Sequence, residues 1–372
     1  MNWRPVWKRR KGDGADCVAF SHPPSIYLSL WDFWSKQSDD HEVRVDWDQV
    51  QKIVSKKPSV AAYCDEARRG MLLLHFACAL YPPLEVVEAI VLANPRALYH
   101  KSLSAEITPL MIACGRNASK EVIRLLLRSA KQTMYLKDSS GYSAIHWACR
   151  EDVSKEVLRC LLIADPQIAH CRADPPNGKA SYTSGVTPMD ILYQSRMANS
   201  FSDNQWDKLC YVLWARKYGT LVARSGQAFS TLHAALSLRC PKDVIEIALE
   251  RYGGQYAGVR DQFGNLPLHY AVKLNSSGPP IVATLLQHFP QAASCSDAYG
   301  RLPLHVALKH GHTWSKGVAQ LLLNYPPAIA VTDKETSLLP CALSASFCDV
   351  ETTFCLLREY PQVITSVQDH SS

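Results

Sequence analysis

The stretch DAYGRLPLHVAL, residues 297–308, decides the reading of this chain. Asp followed three residues later by Gly is a turn signal: the carboxylate can bond its own backbone, and Gly takes the positive φ that other residues resist. Leu-Pro-Leu-His follows without a gap. Pro suits the first turn of a helix, where its missing N–H leaves no bond unmade, so the stretch predicts a turn feeding directly into a short helix. DQFGNLPLHYAV at 261–272 and DSSGYSAIHWAC at 138–149 are further copies.

Aligned on the His position, the copies form a ladder of His75, Met111, His146, Asp190, His233, His269, His305 and Pro340. The intervals are 36, 35, 44, 43, 36, 36 and 35 residues. Repetition at this period marks an array in which each unit is one supersecondary element. A second helix is predicted in each period. SKEVIRLLL from Ser119 and SKEVLRCLL from Ser154 begin with a capping Ser and place Glu at the positive end of the helix dipole. PPLEVVEAIVL from Pro82 and PKDVIEIAL from Pro241 repeat the scheme with Pro leading. Pro95, Pro166, Pro290, Pro326 and Pro361 stand where that helix must stop. Its Leu and Val face recurs in unit after unit and reads as a buried stripe.

These motifs resemble the ankyrin-repeat family, whose unit is a β-turn plus two antiparallel helices with a TPLHxA signature. TPL stands at 108–110, TPM at 187–189, STLHAA at 230–235, and LPLHxA at 266–271 and 302–307. A tetratricopeptide array has a similar period but would not place Asp-x-x-Gly eight residues ahead of His, as in Asp138 before His146, Asp261 before His269 and Asp297 before His305. The resemblance implies an all-α solenoid of stacked helix-turn-helix units with β-turn fingers, about eight repeats over roughly residues 70–365.

Residues 1–40 hold no repeat and are expected to be largely irregular, with a basic cluster KRRK at 8–11 and an apolar run IYLSLWDFW at 26–34 that either packs on the first helices, the reading favoured because aromatics repay ordering by burial, or serves as an interfacial or partner-binding peptide. DWDQVQKIV at 46–54 has helical spacing, so 41–69 reads as an N-terminal capping half-repeat. Insertions near 172–186 and 197–204 lengthen the fourth repeat, in which Asp190 replaces His. The last repeat lacks its turn Gly in DKET at 333–336 and carries Pro340 in the His register, as a C-terminal cap does; 366–372 is a tail.

Hydrophobic content of 47% against 20% charge is that of a folded chain. No apolar run is long enough for a transmembrane segment, and the basic N-terminus is not followed by the apolar stretch of a secretory signal. Thirteen cysteines form no CxxC pair, and Cys78, Cys114 and Cys149 recur at one register as small packing residues. Unpaired thiols predict an intracellular, reducing setting, the cytoplasm ahead of the nucleus. Of the formal +6, five charges lie within residues 1–12; the remainder has 35 basic against 34 acidic residues, which argues against a nucleic-acid footprint over the array.

No phosphate-binding, nucleophile-elbow or zinc-protease motif occurs, and a ladder of histidines spread along an array surrounds no single point. Neither catalysis nor a cofactor or metal is expected. In the family this His resembles a structural residue bonding between repeats, often with a Thr three before it. Thr108, Ser143, Thr187 and Ser230 keep that partner, whereas Leu72, Leu266 and Leu302 put the bond in question. The resemblance implies a non-enzymatic scaffold that grips partner proteins on a concave face of fingers and first helices. Its variable contact positions correspond to Arg116, Tyr142, Arg150, Phe263, Asn265, Lys273, Tyr299, Arg301 and Lys309. Arg116, Arg150, Lys273 and Lys309 share or neighbour one register, predicting a weakly basic stripe and an acidic partner. The alternative is a regulatory or targeting protein acting in the nucleus or at a membrane surface through KRRK.

Overall fold

The structure, a computed structural model, describes residues 24–35, 45–150, 152–174, 185–194, 202–221, 230–274 and 281–361. KRRK, the bodies of both insertions and the 366–372 tail lie outside them. The chain divides into two compact units, Met1–Val222 and Ala223–Ser372. Among the described residues every regular element is helical, and strand pairing is confined to the isolated bridges Asp65 to Met71 and Ala173 to Val186.

The first unit opens on α1 (Ser25–Ser35) and α2 (Trp47–Lys56). Three helix pairs follow: α3 (Leu73–Ala79) with α4 (Leu84–Ala93), α5 (Pro109–Gly115) with α6 (Lys120–Ser129), and α7 (Ala144–Ala148) with α8 (Lys155–Ala164). α9 (Pro188–Gln194) and α10 (Asp203–Tyr218) make a fourth. The first helix of a pair is short and buried nearly all round: every side chain of α3 from Leu73 to Ala79 is buried. Small residues such as Ala77, Ala113 and Ala148 let its neighbours approach on both sides. The second helix buries only its Leu and Val stripe, as in Val122, Ile123, Leu126 and Leu127 of α6.

Caps end these helices as the sequence predicts. Ser119 Oγ accepts from Val122 N–H at 3.3 Å, and Thr108 Oγ1 from Met111 N–H at 3.4 Å. The second helix halts at a residue turned to φ −147°, ψ 84° at Asn94, because the following Pro forbids helical geometry there. A short 3-10 turn then packs inward, burying Ala97 and Leu98. First helices end on a left-handed residue, Tyr81 at φ 54° and Asn117 at φ 57°. Ala118 N–H reaches back to Ala113 O at 2.9 Å, closing a carbonyl that the helix leaves open.

Two expectations for the N-terminus change. Residues 25–35 are helical, and α1 packs on α3 while α2 packs on α4. The expected half-repeat thus has both of its helices. Tyr27 is fully buried, its hydroxyl donating to Met71 O at 2.7 Å and its ring meeting Tyr63 and Phe76 edge-on at 4.7 and 5.2 Å. An aromatic run repays its ordering by burial, which is why this segment does not stay irregular.

The insertion after Cys171 leaves the finger closed at its base: Ala173 N–H donates to Val186 O at 2.8 Å and Gly185 N–H to Ala173 O at 2.7 Å. α10 runs four residues past the expected Trp214 and ends on Gly219 at φ 66°. It is fastened to the preceding repeat. Asn204 accepts from Lys155 N–H at 2.9 Å and donates to Val153 O at 3.0 Å, and the buried Lys208 ammonium donates to Arg150 O at 2.6 Å.

Among the described residues the second unit contains four pairs: α11 (Thr231–Ser237) with α12 (Lys242–Tyr256), α13 (Pro267–Ala271) with α14 (Ile281–His288), α15 (Pro303–Lys309) with α16 (Val318–Asn324), and α17 (Pro340–Phe347) with α18 (Val350–Glu359). First helices stack on first helices, α11 on α13, α13 on α15 and α15 on α17. The unit that lost its Gly keeps its turn, one residue longer. Asp333 N–H donates to Leu338 O at 2.9 Å, and Ser337 takes the positive φ, 58°.

Candidate functional site

The fingers that begin at Asp138, Asp261 and Asp297 are each organised by one carboxylate. Asp138 Oδ1 accepts from Ser140 and Tyr142 N–H, both at 2.9 Å; Asp297 Oδ1 accepts from Tyr299 and Arg301 N–H, both at 2.9 Å. Asp261 does the same for Phe263 at 2.9 Å and Asn265 at 3.1 Å. The second oxygen has a different partner in each repeat: Trp147 Nε1 at 3.0 Å on Asp138, the Tyr270 hydroxyl at 2.8 Å on Asp261, and the Arg301 guanidinium at 2.8 Å on Asp297. That choice sets the electrostatics. Burial raises the Asp138 carboxyl above its ordinary range, because the neutral donors around it only partly offset desolvation. Burial acts on Asp297 in the same sense, but hydrogen bonds and the charge of Arg301 outweigh it and hold that carboxyl below its ordinary range.

The histidines fasten one repeat to the next. Nδ1 of His75, His146, His269 and His305 accepts the backbone N–H of Leu72, Ser143, Leu266 and Leu302, at 3.1, 3.1, 2.9 and 3.2 Å. An N–H donor forces Nδ1 to be bare, so Nε2 carries the proton and donates. Its acceptors belong to the following finger: Ile107 O, Val186 O, Cys295 O and Val331 O at 3.2, 3.2, 3.0 and 2.8 Å. His233 meets Asn265 O at 3.2 Å in the same way. The question over the Leu positions is thereby removed: the donor is backbone, and any residue other than proline supplies it. Burial, with the neighbouring His100, pushes His75 down to about 3, and burial pushes His146 down to about 4. Asp190 keeps half of this role, its Oδ2 accepting from Thr187 N–H and Oγ1 at 2.7 Å each. A carboxylate offers acceptors only, so it has nothing to donate onward.

A second set of links escaped sequence reading. Lys101 Nζ donates to Lys137 O at 2.7 Å, Lys137 Nζ to Asp174 Oδ2 at 3.2 Å, and Arg260 Nη1 to Ser296 O at 2.8 Å. All three bases directly precede the residue that organises the finger, Ser102, Asp138 and Asp261. Their recurrence at that register was the available signal.

The predicted contact residues separate into two groups. Asn265 is 8% exposed and lies within its finger, its amide donating to the Tyr270 hydroxyl at 3.3 Å, so it serves the scaffold and not an outer surface. Arg301 is clamped between Asp297 and Glu335, the latter at 2.9 Å. Lys309 is likewise spent on Asp333 at 3.2 Å and Glu335 at 2.9 Å; burial acts to lower its pKa, but these bonds outweigh it and raise it. The basic stripe is therefore neutralised at Lys309, and Arg301 beside it is paired as well. Tyr142 is half-buried beside the His146 ring, centroids 5.4 Å apart. Arg116 and Arg150 are exposed, Arg150 lying 5.5 Å from the Trp147 ring and 3.8 Å from Asp152. Phe263 and Tyr299 project from the tips of consecutive fingers, 49% and 73% exposed. Lys273 is half-buried, its ammonium 5.5 Å from the Tyr270 ring.

Among the described residues no group of His, Cys, Asp and Glu is placed to hold a metal ion, and no helix is long and apolar enough to cross a membrane. A search of the curated proteins finds no match to the chain. The sequence model described as Ankyrin repeats (3 copies) matches residues 74–170 and 232–334, more than half of the chain. Repeats of this kind are generally protein–protein interaction modules and typically non-enzymatic. The match falls on the helix pairs and the histidine ladder just described, and the chain belongs to the ankyrin-repeat family.

Proposed function

We propose that the chain is a non-enzymatic scaffold that holds partner proteins on its finger tips and on the C-terminal ends of its first helices. The observation that supports this is the contrast within a finger. Backbone and carboxylate are locked by four or more hydrogen bonds around Asp297, yet Tyr299 at the apex stands 73% exposed. A rigid base carrying an exposed aromatic loses little entropy on binding, which is the property of an interface anchor. Buried, unpaired thiols such as Cys78 and Cys149, both raised by burial to about 12, fit a reducing compartment.

The test compares proteins retained from a cell extract by the full chain and by its Phe263→Ala/Tyr299→Ala variant. Specific partners should be lost by about tenfold or more on truncating two central anchors. An identical retained set for both chains would overturn the reading for these tips.

A further inference from the structure

The second unit carries three nitrogen donors, two cations and an imidazole, at neighbouring registers of consecutive repeats. Arg239 follows α11, Lys273 follows α13 and His310 caps α15. Each sits where the carbonyl end of a short helix favours positive charge. None has a carboxylate within ion-pairing distance among the described residues, whereas Arg301 and Lys309 alongside them are held by Asp297, Asp333 and Glu335. His310 feels the charge of the other two. Burial and then the charge of Arg301 lower the Lys273 ammonium; burial and then Lys273, His312, Arg239 and Arg301 lower the His310 imidazole. The row thus makes no ion pair among the described residues, and the more distant Asp297 and Asp261 offset only part of the lowering at Lys273. The exposed rings of Phe263 and Tyr299 stand on the fingers of the same repeats, with Arg301 stacked 4.9 Å from the Tyr299 ring.

Spacing restricts what can lie on this row. The first helices α11, α13 and α15 pack on one another, and packed helix axes are about 8–10 Å apart. A polyproline II strand has three residues per turn and advances about 9 Å in that turn, presenting every third side chain to the same side. A β-strand alternates its faces and would turn the residue three along away from the row. Aromatic-lined grooves also suit the preformed backbone of such a strand. We propose that this row is a docking site for an acidic protein segment in the polyproline II conformation, with a carboxylate at every third residue facing Arg239, Lys273 and His310 in turn. The inference deepens the scaffold reading and rests on it.

The experiment uses the full chain and two labelled synthetic peptides of equal composition, one of repeated Glu-Pro-Ala triplets and one with its Glu residues gathered in a single block. Binding is followed by fluorescence anisotropy at two salt concentrations. The triplet peptide should bind about tenfold tighter than the blocked one, and weaken as salt is raised. Arg239→Gln/Lys273→Gln/His310→Gln should lose about tenfold in affinity, while Lys242→Gln/Lys316→Gln, which removes as many formal lysine and arginine charges elsewhere on the unit, should not. Equal affinity for the two peptides, an unaffected triple variant, or stronger binding to a single-stranded oligonucleotide or to phosphatidylserine vesicles than to the triplet peptide would overturn the proposal. Partner loss in the Phe263/Tyr299 variant together with any of these outcomes leaves the scaffold standing without the acidic segment.

Discussion

A histidine that is buried, accepts at Nδ1 and donates at Nε2 has no room for a second proton. The unfolded chain, with histidines near 6.5, takes up the proton that the folded state refuses at His75 until about pH 3 and at His146 until about pH 4. The sign follows directly. Their contribution is complete above pH 6.5 and is lost on acidification, by about 1.4 kcal/mol per pH unit for each histidine as the pH falls through that window. Urea midpoints measured from pH 7.5 down to about 4.5 should therefore fall, and His75→Gln, less stable at neutral pH, should show a flatter profile. The turn glycines offer a second comparison at this scale. Gly141 sits at φ +84° with the backbone of Asp174 2.5 Å from where a Cβ would stand, while Gly264 at φ +77° would meet only Ala298 at 3.7 Å. Gly264→Ala should cost about 1 kcal/mol for its backbone alone. Gly141→Ala must also displace the next finger and should cost about 3 kcal/mol or more, read from thermal unfolding of both variants.

At the scale of elements, α1 shows how a segment without the repeat motif becomes part of the array. It offers no His and no finger, yet its Tyr27, Leu30 and Ile26 are buried where α3 would otherwise face water. Tyr27→Phe removes the bond to Met71 O and should cost about 1–2 kcal/mol. Tyr27→Ala also opens a cavity between Tyr63 and Phe76 and should cost about 3–5 kcal/mol. Proteolysis should then attack α1 and the first repeat ahead of α5 and α6. Equal proteolytic rates across all three would mean that α1 does not cap the stack. The fingers make the complementary point. At Asp138, Asp261 and Asp297 one register does the same backbone work, but its second oxygen meets an indole, a phenol or a guanidinium, and the carboxyls of Asp138 and Asp297 shift in opposite directions as a result.

For the whole molecule, what matters is that links run between consecutive repeats inside a unit, as in the second: His269 to Cys295, His305 to Val331, Arg260 to Ser296. Stability in such a system is a sum of units and nearest-neighbour interfaces. His305→Leu strands the Leu302 N–H and the Val331 carbonyl and should cost about 2 kcal/mol. Hydrogen exchange should show the loss first in α15 to α18 and least in α11; a uniform loss across the second unit would contradict nearest-neighbour coupling. The repeat, its period, its caps and its helix stops were all legible in the residues, because each is dictated within about a dozen neighbours and then copied. The proposed contact face was legible only in part. Phe263 and Tyr299 point outward as the register implies, but Asn265 turns inward, and Arg239 and His310, two and one residues beyond the Lys273 register, supply donors that the reading passed over.

From its sequence alone this chain is committed to paired helices stacked on their own copies, since a unit that cannot bury its apolar face by itself must share it. Which charges are paired within the chain was decided by the tertiary structure. Lys273 and Lys309 occupy the same register, four residues past His269 and His305, and nothing local tells them apart. Lys309 meets Asp333 and Glu335 arriving from the next repeat within 3.2 Å, and Lys273 meets no carboxylate at that distance among the described residues. Coulomb interactions and hydrogen bonds are settled over a few ångströms, between residues some two dozen positions apart in the chain, and only the stacked array brings those residues together.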